Sequence, residues 1–521
     1  MKVLITTSGT GSRLGELTRH TNKSLVRVGK KPAISYIVDL YPRDTEFVVT
    51  VGYKGDHVKD FLELAHDNRK FIFVPIDKYE GEGTSLGYSM LQAEKFLQTP
   101  FVFHACDTIV EEMDIPSLDH NWSMGIKLDN YEQYTSFDVG ENGRIVRFNN
   151  KGINGHLGHI GLIGVKDYDK YWEHLNKLYT KNPNNSSLND TATLSEMISA
   201  GIPIKGYEIK NWLDIGNTKS LAEARKKISD KFDNLDKVDE SLFFFDDFVV
   251  KFFSDEKKIE NRLARGKLFG NLAPKTLDVR KNFYKYRYVS GETYSEVASA
   301  NDFESFLLWS KKNVWKKVNI VSKEKFKSVC RDFYEIKTKE RIKKMLSLNG
   351  IKDGPNVING YKVPSTKSLL AKIDFAKLAN GVQTRFHGDY ILENIIKTEK
   401  GYSLLDWRQD FGGLLESGDM YYDLGKLAHN LVVNHDVINK DLYSIKITKE
   451  DIVCDIMRKN NLVECEVVMD KFLKKQKLDM RKVKILRALI WLNMSPLHHK
   501  PFNLFLYYFG KLSLWKALNE K

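Results

Sequence analysis

Four short, nearly continuous apolar runs occur before residue 106: KVLITT, EFVVTVGY, KFIFVPI and PFVFHA. Stretches of helical period, KPAISYIVDLY and GTSLGYSMLQAEKFL, lie between them. A strand without polar alternation is buried on both faces, which calls for a parallel sheet with helices packed on each side. The βαβ alternation therefore predicts a doubly wound α/β sheet, and the pattern runs on to about residue 225. There it breaks into the charged segment ARKKISDKFDNLDKVDE, and a fresh strand signal follows in SLFFFDDFVVKFF. A chain of 521 residues is too long for one core. These breaks predict a first domain over 1–228, a linker over 229–240 and a second domain over 241–521. Within the second, GIKDGPNVINGYKVPS reads as a loop over 350–365, and the sequence from about 420 onward reads as mostly helical.

Composition narrows the function classes. Apolar residues make up 42% of the chain, which excludes wholesale disorder. The net charge of +13 raises the question of nucleic acid, but the basic residues are spread along the chain, and no basic block is interleaved with aromatics. A positive field that steers phosphorylated substrates accounts for the same charge, so no nucleic-acid partner is expected. Cys106, Cys330, Cys454 and Cys465 form no CxxC pair and read as free thiols in a reducing compartment. The start, MKVLITTSGTGSRL, lacks the pattern of a signal peptide, and no apolar run approaches 18 residues. The expectation is a cytoplasmic chain with no membrane partner. The sequence leaves a homo-oligomer open.

The first strand runs directly into Ser8-Gly9-Thr10-Gly11-Ser12-Arg13-Leu14. Glycines at that point let backbone N–H groups approach a phosphate. The loop has neither the GK[ST] ending of a Walker A motif nor GxGxxG spacing, so by itself it is also read as a tight turn. Lys23 follows in TNKSLVRVGKKP, Asp107 ends a strand in FHACDT, and Asp214 stands in NWLDIGNTKSL. Together these residues resemble the sugar-phosphate nucleotidyltransferases, or pyrophosphorylases, over nearly all of residues 1–225. The resemblance implies a Rossmann-like, GT-A-like fold in which a substrate phosphate attacks the α-phosphorus of a nucleoside triphosphate. Arg13 would stabilise the departing pyrophosphate and Lys23 would hold phosphate oxygens. Asp107 and Asp214 would bind Mg²⁺, and Gly9, Thr10, Gly11 and Ser12 would face the triphosphate. Gly83 and Thr84 in EGEGTSLGY would contact the nucleobase. Two departures stand out: Ser12 replaces the usual Thr, and Asn22 replaces the usual Pro, which is expected to loosen the turn before Lys23.

The second half carries FHGDYILENII followed by YSLLDWR. His387, Asp389 and Asn394 have H-x-D-x-x-x-x-N spacing, and Asp406 comes after the next hairpin signal. That spacing puts a carboxylate and a metal-binding amide on one loop. The cluster resembles the aminoglycoside phosphotransferase and choline kinase family over roughly 240–521, which implies an α+β protein-kinase-like phosphotransferase domain. By that resemblance Asp389 would receive the acceptor hydroxyl, Asn394 and Asp406 would coordinate Mg²⁺, and Lys251 in FVVKFF would position ATP with Glu260 as its ion-pair partner. His387 and Asp423 read as structural partners of the loop. KVDESLFFFDDF contains no glycine, so the hairpin that covers phosphates in this family is degenerate here. Joined, the two resemblances imply an enzyme that phosphorylates a sugar or small alcohol with ATP. It would then activate the phosphate with a second nucleoside triphosphate, for surface-polysaccharide precursors. A choline kinase joined to a phosphocholine cytidylyltransferase, or a nucleotidyltransferase with a non-catalytic second domain, stays open.

Overall fold

The computed structural model describes residues 1–111, 114–228 and 237–520, in two compact units. The first unit comprises Met1–Glu256 and Thr276–Tyr288; the second comprises Lys257–Lys275 and Val289–Lys521. Residues 229–236 of the expected linker lie outside the described residues.

The apolar runs form the strands expected of them. β1 (Lys2–Thr6), β2 (Glu46–Val51), β3 (Lys70–Pro75) and β4 (Phe101–Ala105) pair in parallel in the order β3-β2-β1-β4. Ile5 sits opposite both Val49 and His104, at the centre of this parallel block. Helices α1 (Ala33–Leu40), α2 (Gly55–Ala65) and α3 (Leu86–Leu91) occupy the connections. The hairpin arm β5 (Thr108–Val110) follows β4 directly. Beyond it come β6 (Asn121–Ile126), β7 (Ser136–Val139), β8 (Ile145–Asn149) and β9 (Leu157–Val165). β9 runs antiparallel to β4, so the nine-stranded sheet is mixed, not parallel throughout. Two helices, α4 (Tyr168–Lys181) and α5 (Asp190–Ser199), precede β10 (Ile204–Glu208), β11 (Trp212–Asp214) and α6 (Thr218–Lys227).

A second, four-stranded antiparallel sheet belongs to the same unit. It orders β12 (Glu240–Phe244), β13 (Phe248–Phe253), β14 (Thr276–Val279) and β15 (Phe283–Arg287) as β12-β13-β15-β14. The packing thus departs from the boundary expected near 240, and the reason is aromatic. α2 carries Val58, Phe61, Leu62 and Ala65 at helical spacing, all buried. Phe61 meets Phe243 with centroids 5.1 Å apart, and the His57 ring lies 5.2 Å from Phe252 and 6.0 Å from Phe283. Burying three phenylalanines contributes about 1.5–3 kcal/mol each, enough to fix the sheet on α2.

The second unit is chiefly helical: α7 (Glu256–Phe269), α8 (Ala300–Asn313), α9 (Lys323–Arg331), α10 (Lys337–Asn349), α11 (Met420–Asn430), α12 (Asn460–Lys475), α13 (Met480–Met494) and α14 (Phe502–Asn519). The hairpin β16 (Ile395–Thr398) and β17 (Gly401–Leu404) separates Asn394 from Asp406. Two expectations are corrected here. The segment expected as a loop holds a hairpin, Asn356–Ile358 with Tyr361–Val363. The expected helical stretch after 420 is interrupted by strands Tyr443–Ile447 and Ile452–Ile456. YSIKI and IVCDI alternate with period two, the mark of a half-exposed strand. Among the described residues, no helix is long and apolar enough to cross a membrane. All four cysteines are buried free thiols.

Candidate active sites

The loop after β1 is tied down before its glycines begin. Thr7 donates to Thr50 O through both its N–H (2.9 Å) and its hydroxyl (2.7 Å). Gly11 has φ 68°, and a Cβ there would sit 2.9 Å from the Lys23 Cβ, so any other residue would displace Lys23. Gly9 and Thr10 lead to this point, and Ser12 opens a 3₁₀ stretch to Thr18. Leu14 is buried and anchors that stretch, while Arg13 beside it is exposed.

Asn22 corrects an expectation. It does not loosen the turn before Lys23. Its fully buried amide donates to Thr7 O (2.8 Å) and Tyr53 O (2.7 Å), while its Oδ1 accepts from the Ser24 N–H and hydroxyl, both at 2.9 Å. Four hydrogen bonds do here what a fixed proline φ would do. Lys23 then reaches Asp107 in a close ion pair. Burial by itself would push the Lys23 ammonium down and the Asp107 carboxyl up. Their mutual attraction, helped at Asp107 by Arg13, reverses both shifts, so Lys23 is held cationic and Asp107 anionic.

Asp107 and Asp214 come together through a short antiparallel ladder. β5 pairs β11 with Thr108 opposite Asp214, and Ile215 N–H donates to Asp107 O at 3.1 Å. Tyr134 Oη (2.9 Å) and Gly216 N–H (2.8 Å) both donate to the Asp214 carboxylate. Gly216 marks the focus of the site. A Cβ built on it would lie 2.9 Å from Asp214 Oδ1, 3.3 Å from Asp107 Oδ2 and 3.7 Å from Arg13 Nη2. Two carboxylates, a guanidinium and, through Asp107, an ammonium therefore share one small space. Gly83 and Thr84 lie on the loop before α3, where Thr84 Oγ1 donates to Gly81 O (2.8 Å). The Ser8–Ser89 hydroxyl pair, at 2.8 Å, holds α3 against the loop after β1.

A second constellation lies in the second unit. Asp389 forms an ion pair with Lys426 (2.7 Å), and its carboxyl is held at about 2 because the Lys426 charge outweighs burial. Asn394 Nδ2 donates to Asp389 O at 3.0 Å, and Leu405 N–H donates to Asn394 O at 2.8 Å, closing the hairpin onto the loop. Asp406, at φ 51°, is ion-paired with Arg262. Asp423 accepts from His387 N–H (2.8 Å), Gly388 N–H (2.7 Å) and Trp315 Nε1 (3.1 Å), and burial raises its carboxyl to about 6. His387 is lowered to about 4 by burial and is therefore neutral. Its Nε2–H donates to Leu405 O (2.8 Å), which leaves Nδ1 to accept from Asp389 N–H (3.3 Å).

Lys251 and Glu260 carry partners other than the pair expected of them. Lys251 lies in β13, buried, with its Nζ 2.7 Å from Glu240 on the neighbouring β12. The register places Leu242 opposite Lys251, so Glu240 is the diagonal cross-strand neighbour on the same face. Glu260 is exposed on α7 and pairs with Lys257 at 2.7 Å. The residues that α7 turns to the loop are Arg262 and Arg265, an R-x-x-R spacing that puts both on one helix face. Arg265 is buried and donates to the carbonyls of Phe386, His387 and Arg408. Lys426 lies three residues after Asp423 on α11, a spacing that signals one shared face. Gly216, by contrast, stands out only once the β5–β11 ladder is known.

No family model matches the chain. Its N-terminal half is similar to curated nucleotidyltransferases. The bifunctional protein GlmU of Methanococcus vannielii is 23% identical over 254 residues, covering 45% of this chain and 58% of the relative. A probable glucose-1-phosphate cytidylyltransferase of Bacillus subtilis is 31% identical over 104 residues, covering 19% of this chain and 39% of its own length. The chain spans about half the length of the curated relatives it matches. A solved UDP-glucose pyrophosphorylase in complex with UDP-glucose overlaps 43% of this chain and 97% of its own at 19% identity, with a TM-score of 0.37. That score is too low to support an argument.

Proposed function

We propose that the chain is a bifunctional enzyme, a nucleotidyltransferase in its first half and a small-molecule kinase in its second. The convergence of Arg13, Lys23, Asp107 and Asp214 around Gly216 carries the first activity. Transfer of a nucleotidyl group needs no covalent nucleophile. It needs a phosphate oxygen aligned on the α-phosphorus and neutralisation of the charge that develops on pyrophosphate. Lys23, fixed by Asn22 and Gly11, holds phosphate oxygens; Arg13, exposed beside the buried Leu14, reaches the leaving pyrophosphate. Two carboxylate oxygens around one vacant Cβ position make a donor set suited to Mg²⁺, which keeps few protein ligands and takes the rest from phosphates and water. Asp107 and Asp214 would hold it, and when bound it supplies charge neutralisation at the triphosphate. Among the described residues, no three acidic, His or Cys side chains gather into a fuller cage.

For the second activity, Asp389 would receive the proton of the acceptor hydroxyl, and Asn394 and Asp406 would hold Mg²⁺, which neutralises charge on the phosphates of ATP when bound. The product of this step is a phosphate ester, the chemical class the first site consumes. A sugar is the preferred acceptor class for the pair, with surface-polysaccharide precursors as the destination. One observation favours a second reading, in which the second half is regulatory: Asp389 and Asp406 are both engaged by cations of this chain, Lys426 and Arg262.

The test combines the chain with Mg²⁺, ATP, the other nucleoside triphosphates and a panel of hydroxyl compounds and their phosphates, with products identified by mass spectrometry. We expect nucleoside-diphospho products from phosphates, and from free hydroxyl compounds when ATP is present. Asp107→Asn should abolish nucleotidyl transfer and spare ADP formation, and Asp389→Asn should do the reverse. Nucleotidyl transfer alone, unchanged by Asp389→Asn, would establish the regulatory reading. Loss of both activities in either variant, with the fold retained, would refute two independent sites.

A further inference from the structure

Next to Asp389 the second unit holds a cavity of about 160 Å³. Its lining is apolar at Leu486, Ile490 and Met494 of α13 and cationic at Lys337, Arg341, Arg408 and Lys426. Lys426 is the residue ion-paired with Asp389, so one side chain links the cavity to the carboxylate proposed to receive the acceptor's proton. The charge there is only partly compensated: Asp389 pairs with Lys426, and the Asp410 carboxylate attracts Lys337 without forming an ion pair with it. Among the described residues neither Lys337 nor Arg341 forms an ion pair. Arg408 donates only to the Asp410 carbonyl (2.9 Å), and Lys337 rests 3.9 Å from the centre of the Phe333 ring. Burial, followed by the charges of Arg408, Arg341 and Lys426, lowers the Lys337 ammonium to about 7. Asn493 also lines the cavity, and its buried Oδ1 has no hydrogen-bond donor among the described residues.

We propose that this cavity binds the kinase acceptor and that the acceptor is a small anion: a hydroxyl compound that already carries a phosphate or a carboxylate. The inference rests on the kinase reading of Asp389 and specifies its substrate class. Four half-buried cations that share one paired carboxylate are costly to hold together, and an anionic ligand supplies the missing counter-charge. Arginine forks and an ammonium over an aromatic ring match phosphate or carboxylate oxygens. Phe333, Tyr334 and Tyr422 also line the cavity, but the cations beside them repel a quaternary ammonium. With the anion on Lys337 and Arg341, and a hydroxyl donating to Asn493 Oδ1, the carbon skeleton lies along α13. The reacting hydroxyl oxygen forms a bond to the γ-phosphorus of ATP as the bond from that phosphorus to the bridging oxygen breaks. ADP leaves with the electron pair, and the hydroxyl proton passes to Asp389.

The experiment measures ADP release with glycerol 3-phosphate and glucose 6-phosphate, with glycerate and gluconate, with glycerol and glucose, and with choline. We expect one or more of the four anions to exceed its neutral counterpart in kcat/KM by at least ~10-fold. The first two pairs of acceptors tell phosphate from carboxylate. Lys337→Gln and Arg341→Gln should raise KM for that anion about 10-fold or more and leave KM for ATP unchanged, while Lys337→Arg restores most of the loss. Choline or a neutral compound as the best acceptor, with KM indifferent to both variants, would overturn the proposal and leave the kinase reading intact. If no acceptor releases ADP, calorimetry with the same anions on the intact chain decides. Binding that Lys337→Gln and Arg341→Gln abolish, at unchanged melting temperature, supports the anion site and removes the kinase reading. Absence of binding overturns the anion site as well.

Discussion

At the scale of single residues, the first site depends on positions that carry no charge. A Cβ at Gly216 would come within 2.9 Å of Asp214 Oδ1 and 3.3 Å of Asp107 Oδ2, closer than either carboxylate can accept without moving. Gly216→Ala should therefore push Asp214 aside and lower nucleotidyl transfer by about 10²-fold, with the melting temperature nearly unchanged, since an ångström of misplacement costs that much in an aligned reaction. Steady-state rates alongside thermal melting check it; an unimpaired alanine variant would mean that the two carboxylates do not act together. Arg13, Lys23, Asp107 and Asp214, whose side chains the fold brings close together, each stand in a local motif of the sequence. Gly216 and Tyr134 were not legible there, because their importance arises from the ladder between β5 and β11, about a hundred residues apart. Asn22 escapes a local reading for a related reason: its four hydrogen bonds reach Thr7 and Tyr53 as well as Ser24, and no local pattern announces them.

At the scale of elements, α7 is the example with the most consequence. Its sequence offers Glu260 either as an ion-pair partner for Lys251 or as a solvated charge; Glu260 is exposed and pairs with Lys257, while Arg262 pairs with Asp406 and Arg265 reaches the Phe386 carbonyl. Arg265 satisfies three carbonyls on two segments, Phe386–His387 and Arg408. Replacing it by methionine leaves the Phe386 and Arg408 carbonyls without this donor, while His387 O keeps the Arg408 N–H, and should cost about 2–4 kcal/mol, read as a lowered denaturation midpoint. Arg265→Lys should recover little, because a single ammonium cannot fork between the segments. A methionine variant as stable as the parent would show that water satisfies the carbonyls and that α7 does not brace the loop. The strands of the parallel block were the readily legible elements, since β-branched apolar runs have few alternatives. The hairpin at 356–363 was hidden by Gly, Asn and Pro, residues that mark loops and tight hairpins alike.

At the scale of the whole molecule, buried histidines set the response to acid. His57, His66 and His104 in the first unit, and His387 in the second, are each lowered from 6.5 to about 4, in every case chiefly by burial. Between those values the unfolded chain binds protons that the folded chain refuses, so stability falls as the pH drops through that window. Asp423, raised to about 6, acts in the opposite sense, because the folded state keeps a proton there that an unfolded aspartate has lost. In the second unit it offsets part of the histidine effect, with His429 also lowered; in the first unit three histidines act together. Lowering the pH from 7 to 5 should therefore destabilise the first unit more than the second. Limited proteolysis in urea at the two pH values, with cleavage sites mapped by mass spectrometry, checks this; preferential opening of the second unit in acid would contradict it.

The assignment of residues 240–256 and 276–288 to the first unit has a consequence for how the protein is made. A nascent chain emerges from its N-terminus, and compact units form as their residues become available. When residue 228 has left the ribosome, the nine-stranded sheet is complete, but Phe61 and His57 on α2 still lack the aromatic rings that cover them. Phe283 is the last of those rings, and α7 is synthesised in between although it belongs to the other unit. The first unit thus cannot close its apolar face until some 60 further residues have been translated. During that interval the face is exposed to other nascent chains and to chaperones. A gene cut at residue 240 would leave the protein in that state permanently.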